Sequence, residues 1–222
     1  MRTLNLKERK EARFNSGLAD TLSPGIYNLV IGVCIVYGFI LNAILIATCS
    51  EFAMGLNPFV LLIGYLVLCF LGIFLTVSTN PLVSFVGYNL VVVPIGLVLS
   101  ISIPGYPIGQ IMHAIIITGC IFVIMTCLAT LFPQIFAKLG RVLFISLIVL
   151  ITTELLALLI FHYVGTIFSW AGAIIFTLYI GYDWYVAQAA PKTLDNAIDS
   201  ACELYLDLIN LFLDILRILD RD

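Results

Sequence analysis

The chain has 222 residues, 62% of them hydrophobic and only 10% charged, with a formal net charge of −3. Soluble domains carry roughly a quarter charged residues, so a water-solvated globule is excluded and the bilayer is the expected solvent. The slightly acidic balance leaves no basic footprint, and no nucleic-acid partner is expected.

Residues 1–23 read as a polar tail carrying Arg2, Lys7, Arg9, Lys10 and Arg13. The first apolar run starts only after this tail and is long enough to span, which predicts an uncleaved first helix rather than a signal peptide. From Phe52 to Ala137 there is no Asp, Glu, Lys or Arg. A run of that length implies several spanning helices joined by tight turns, because backbone polar groups in hydrocarbon must be satisfied within the segment.

Pro, Gly and Asn punctuation divides the remainder into spans near Ile26–Thr48, Pro58–Ser78, Pro81–Ile103, Ile111–Leu131, Val142–Phe161 and Thr166–Trp184, with a seventh, more polar segment over Asn196–Leu219. The connection Ser78-Thr79-Asn80 forces spans two and three into an antiparallel hairpin, and Ile103–Gln110, with Pro104, Gly105 and Pro107, makes the next turn. Pro94 should kink the third span. The expectation is an all-α integral membrane protein, with residues 24–222 forming a single seven-helix transmembrane domain.

Cations set the orientation. The tail, Lys138 and Arg141 between spans four and five, and Lys192 between six and seven all fall inside if the N-terminus is cytoplasmic. The outward loops then carry only Glu51 and His162. Seven crossings would leave the C-terminus outside, unless the last segment dips in and returns. The six cysteines, Cys34, Cys49, Cys69, Cys120, Cys127 and Cys202, show no C-x-x-C pair and no His at ligand spacing, and read as small hydrophobes. No cofactor is expected.

Within the spans the ionisable groups are Glu154, Asp183, and Asp199, Glu203, Asp207, Asp214 and Arg217 of the last segment. Each costs roughly 2.5–3.5 kcal/mol at mid-membrane on the insertion scale, so each needs a partner or a wet cavity. Asp199, Glu203, Asp207, Asn210, Asp214 and Arg217 follow at steps of 4, 4, 3, 4 and 3, which places them on one helical stripe. Such a helix either lies flat on the membrane or packs inside a bundle with its stripe on a cavity. Surface helices usually bring a basic face to anionic lipid, and this one is acidic.

Asp183 ends the sixth span and Asp207 follows 24 residues later (207 − 183), so a hairpin can bring the two to similar depth. Two carboxylates in a dry site would share a proton and titrate as a pair, or when ionised capture a hard cation such as calcium. The alternative is two acids solvated independently at a helix end. At the outer end, Arg217 can pair with Glu51 or Glu154 and plug an exit, or snorkel to the headgroups.

The stretch Leu204-Tyr205-Leu206-Asp207-Leu208-Ile209-Asn210-Leu211-Phe212-Leu213, then Ile215-Leu216-Arg217, with Gly181-Tyr182-Asp183 upstream, resembles the signature of the transmembrane Bax inhibitor motif family. Asn80-Pro81 opening the third span also fits. The resemblance implies six helices around a central seventh and a calcium leak gated by protons, with the aspartate pair as pH sensor. That role carries over to Asp183 and Asp207, with calcium and protons as partners beside the lipid. A basic residue that latches this pair from the second span in some members has no counterpart in Pro58–Ser78.

Three other readings compete. An intramembrane aspartyl protease also pairs aspartates on consecutive helices, and Tyr182-Asp183 resembles half of its site, but Asp207 lacks the Gly-x-Gly-Asp context and no Pro-Ala-Leu follows. A non-enzymatic role is therefore expected. A membrane regulator of cell survival acting by protein binding is a second rival, although the short loops offer little surface. A calcium/proton antiporter is the third. Compact size points to a prokaryotic plasma membrane.

Overall fold

The computed structural model describes residues 21–161 and 165–220. The tail cations Arg2, Lys7, Arg9, Lys10 and Arg13, with His162 and Arg221, lie outside the described residues. Every regular element within them is helical. Seven long helices follow one another: α1 (Pro24–Met54), α2 (Pro58–Thr76), α3 (Pro81–Ser102), α4 (Ile108–Leu131), α5 (Gly140–Phe161), α6 (Thr166–Ala189) and α7 (Leu194–Leu219). A 3-10 turn at Ile103–Gly105 follows α3, and a single helical turn, Pro133–Phe136, precedes α5.

The starts of α1 to α3 share one local device. Each begins with a proline in the first turn, behind Ser23, Asn57 or Asn80, whose side-chain oxygen accepts from the backbone N–H of Ile26, Phe59 or Leu82. Proline surrenders no hydrogen bond there, and the polar residue before it satisfies an otherwise orphaned donor. Helix ends are less sharply written. α1 runs on from the expected Thr48 to Met54, because nothing before Gly55 interrupts it, so Glu51 sits in its last turn rather than beyond it. α6 likewise continues past Trp184 to Ala189, and α3 continues through a buried Pro94.

Five helices, α1 to α5, are long and apolar enough to cross a membrane, with mean hydropathy from 2.2 to 2.7. Their side chains are distributed as in lipid rather than water: Leu29, Phe59, Phe70, Ile108 and Leu159 are largely exposed, while α7, the helix richest in carboxylates, is buried on both faces. Leu204, Tyr205, Leu211 and Leu216 are fully enclosed, and so nearly are Asp199, Asp207 and Asp214. A helix lying flat on a surface would expose that acidic face.

The chain divides into two compact units. The first comprises the described residues up to Gly105 together with Ala189–Glu203. Its α2–α3 hairpin brings backbones into contact, since a Cβ on Gly72 would stand 2.6 Å from the Gly87 carbonyl oxygen and one on Gly87 2.7 Å from that of Gly72. Tyr88 donates its hydroxyl hydrogen to the Cys34 carbonyl at 2.7 Å, tying α3 to α1. The Tyr27 hydroxyl lies 3.1 Å from Ser200 Oγ at the start of α7, and Lys192 stands over the Tyr27 ring, 4.5 Å from its centroid.

The second unit comprises the described residues within Tyr106–Gln188 and those from Leu204 onward. At one end Phe136 packs against Gly181, the Tyr182 ring covers Gly140, and Trp184 Nε1 donates to Thr130 Oγ1 at 2.9 Å. At the other, Gln110 Nε2 donates to the Leu219 carbonyl at 3.2 Å. Hence α4 and α6 begin where α5 and α7 end.

Candidate functional site

Asp183 and Asp207 both belong to the second unit, on α6 and α7. Asp207 is 6% exposed and Asp183 half-buried. The residue that relates them is Tyr179, one helical turn before Asp183, whose hydroxyl lies within electrostatic reach of Asp183, Asp207 and Tyr182. Local packing fixes this part of α6. Gly181 leaves room for the Phe136 ring, and Tyr182 fills the space that the missing side chain of Gly140 provides. With residues 181 and 182 so engaged, Tyr179 and Asp183 share a face at i, i+4 spacing.

Two carboxylates and a phenol are groups that donate or accept hydrogen bonds according to their charge. As a cation site this arrangement would be incomplete on its own. Calcium takes about six to eight oxygens, and among the described residues no group of three or more His, Cys, Asp or Glu converges on one point. The six cysteines are all free, with Cys34, Cys69 and Cys202 buried.

At the far end of the same unit lies a cavity of about 570 Å³, lined among others by Tyr106, Glu154, Thr166, Ser169, Arg217 and Asp220. Arg217 Nη1 stands 3.6 Å from Asp214 Oδ1, one turn earlier on α7. The two differ sharply in environment, with side chains 52% and 8% exposed respectively. Glu154 lies within electrostatic reach of both Arg217 and Asp214. Asp214 finds space because α6 offers Gly172 opposite its carboxylate. Of the two partners the sequence offers Arg217, Glu154 thus lines the same cavity, whereas Glu51 belongs to the first unit.

Sequence reasoning places Asp214 on the polar stripe without giving it a role, and passes over Tyr179, Gly140 and Gly172. A glycine inside an apolar run was the available signal for Gly172, since it marks close approach in a membrane helix, whereas Gly140, between Lys138 and Arg141, carries no such signal.

A family model described as "Inhibitor of apoptosis-promoting Bax1" matches residues 21–222. An uncharacterized protein of Helicobacter pylori is 30% identical over 205 residues, covering 84% of this chain and 86% of that one. The Bax inhibitor 1 of Schizosaccharomyces pombe is 34% identical over 128 residues, 56% of this chain and 47% of its own length. A Golgi anti-apoptotic protein of Vaccinia virus is 31% identical over 118 residues, 52% of this chain and 48% of its own. The chain spans about half the length of the yeast and viral relatives.

Proposed function

The chain belongs to the Bax inhibitor family of multi-pass membrane proteins, and on that premise we propose that it is a proton-sensitive calcium leak of a bacterial plasma membrane. In this reading all seven long helices cross the bilayer, α7 is the hub of the other six, and the N-terminus is cytoplasmic. The Asp183–Asp207 pair sits near the inner face and sets the response to pH. The observation that carries the reading is the shared neighbourhood of these two carboxylates at Tyr179. Two acids near one phenol, with Asp207 almost fully buried, cannot both ionise cheaply, so gain or loss of a proton changes the force between α6 and α7. Calcium, as cargo, would meet the same oxygens when the pair is ionised.

The orientation rests on Lys138, Arg141 and Lys192, which fall on one side when crossings alternate. The cavity at the opposite end of the second unit then faces outward. A bacterial membrane is supported by the extent of the match to the Helicobacter relative.

The test is calcium entry into proteoliposomes followed with an enclosed dye across a pH series. Asp207→Asn and Asp183→Asn should each flatten the pH dependence, and unchanged dependence in both would remove the sensor assignment. The yeast and viral relatives, a Bax inhibitor 1 and a Golgi anti-apoptotic protein, favour a second reading, a membrane regulator of cell survival that acts by binding proteins. Absence of flux at every pH would favour that reading over the leak.

A further inference from the structure

Among the described residues, the cavity between the start of α6 and the ends of α5 and α7 is lined by more acid than its one cation neutralises. Glu154, Asp220 and, just beneath them, Asp214 set three carboxylates against the one guanidinium of Arg217. Three hydroxyl-bearing residues, Tyr106, Thr166 and Ser169, line the same space. Thr166 Oγ1 is buried with no hydrogen-bond partner among the described residues, and Ser169 is 4% exposed. A buried hydroxyl oxygen left without a partner points to water or a ligand that supplies one.

We propose that this cavity is a binding vestibule for a hydrated divalent cation, held through its water shell by Glu154 and Asp220, with Arg217 as the built-in competitor for the same carboxylates. The proposal deepens the calcium-leak reading and rests on it for the identity of the ion. Size and charge support it together. A calcium ion with about eight waters occupies on the order of 240 Å³, well within the cavity. Direct ligation would need a convergent cage, and none is present among the described residues, so the shell remains in place. The open position of the Arg217 side chain, half-exposed beside a buried Asp214, lets it swing away when a dication takes its place. Among the described residues an anionic occupant would have Arg217 alone to meet, against the negative charge of Glu154, Asp214 and Asp220.

The experiment is titration of the full-length protein in phosphatidylcholine nanodiscs with terbium(III), a hard oxygen-seeking ion excited through tyrosine, and back-titration with calcium. Glu154→Gln with Asp220→Asn should weaken terbium binding at least about tenfold, because two facing charges are lost. Tyr106→Phe should lower the sensitised emission at unchanged affinity. Arg217→Gln should tighten binding, a gain that misfolding cannot produce. Affinity within about twofold of the unmodified protein in both the acid-removing double variant and Arg217→Gln would overturn the vestibule. The leak fails separately: terbium binding that follows these variants in a protein passing no calcium at any pH would leave the vestibule and remove the leak. Flux with its pH dependence intact, but no variant effect on binding, would do the reverse.

Discussion

A Cβ atom on Gly172 would fall within the space held by the Asp214 carboxylate. The obstacle is the end of a side chain rather than backbone, so it can turn aside. Gly172→Ala should therefore fold, with a stability loss at the lower end of the roughly 1–3 kcal/mol typical of overpacking. It should also displace Asp214 from Arg217. The check is a double-mutant cycle on thermal unfolding in detergent: Asp214→Ala should absorb most of the Gly172→Ala effect, and additive effects would place the strain elsewhere.

The α2–α3 hairpin makes the opposite case. Beside Gly72 stands the Gly87 carbonyl oxygen, and beside Gly87 stand the Gly72 carbonyl oxygen and the Thr76 nitrogen. Backbone cannot rotate away, so the helices must separate to admit a methyl group. Gly72→Ala and Gly87→Ala should each cost more than Gly172→Ala, about 2 kcal/mol or above. Comparing the three melting temperatures in one detergent tests the ranking, and an equal loss at all three sites would contradict it.

These glycines also mark where sequence stops being readable. Helix starts were legible because Ser23-Pro24, Asn57-Pro58 and Asn80-Pro81 carry their own caps, a purely local signal. Ends were less so, since α1 and α6 simply continue until Gly55 and the Ala190-Pro191 turn. The acidic stripe of α7 could be read from its spacing. Which residue meets it could not, because Gly172 opposite Asp214, or Phe136 beside Gly181, depends on how distant helices pack. Tyr179 looked like one aromatic among many until its place near Asp183 and Asp207 was known.

Tyr179 should tune the aspartate pair without being the sensor. Its hydroxyl can donate to a carboxylate, which favours the ionised form. Tyr179→Phe removes that donor and should move the midpoint of pH-dependent calcium flux upward, toward easier protonation, by up to about one unit. Asp207→Asn, by contrast, should abolish the transition rather than move it. A Tyr179→Phe profile superimposable on that of the unmodified protein would show that the phenol stands by without taking part.

Lys192, in the turn between α6 and α7, gives a stability prediction. Burial lowers its pKa from the ordinary lysine value, while the Tyr27 ring beneath it offers partial compensation. The charged form is thus disfavoured in the folded protein relative to the unfolded chain, where lysine titrates near about 10.4. Below the lowered value the folded state bears the whole penalty. As pH rises from there toward about 10.4 the folded protein loses its proton first, and the penalty disappears. Stability should therefore rise over that alkaline window through this group, and Lys192→Met should remove the rise. Because tyrosines and other lysines titrate in the same range, the measurement is the difference in unfolding free energy between the two proteins at successive pH values. A difference that stays flat up to pH of about 10.5 would show that Lys192 titrates alike in both states.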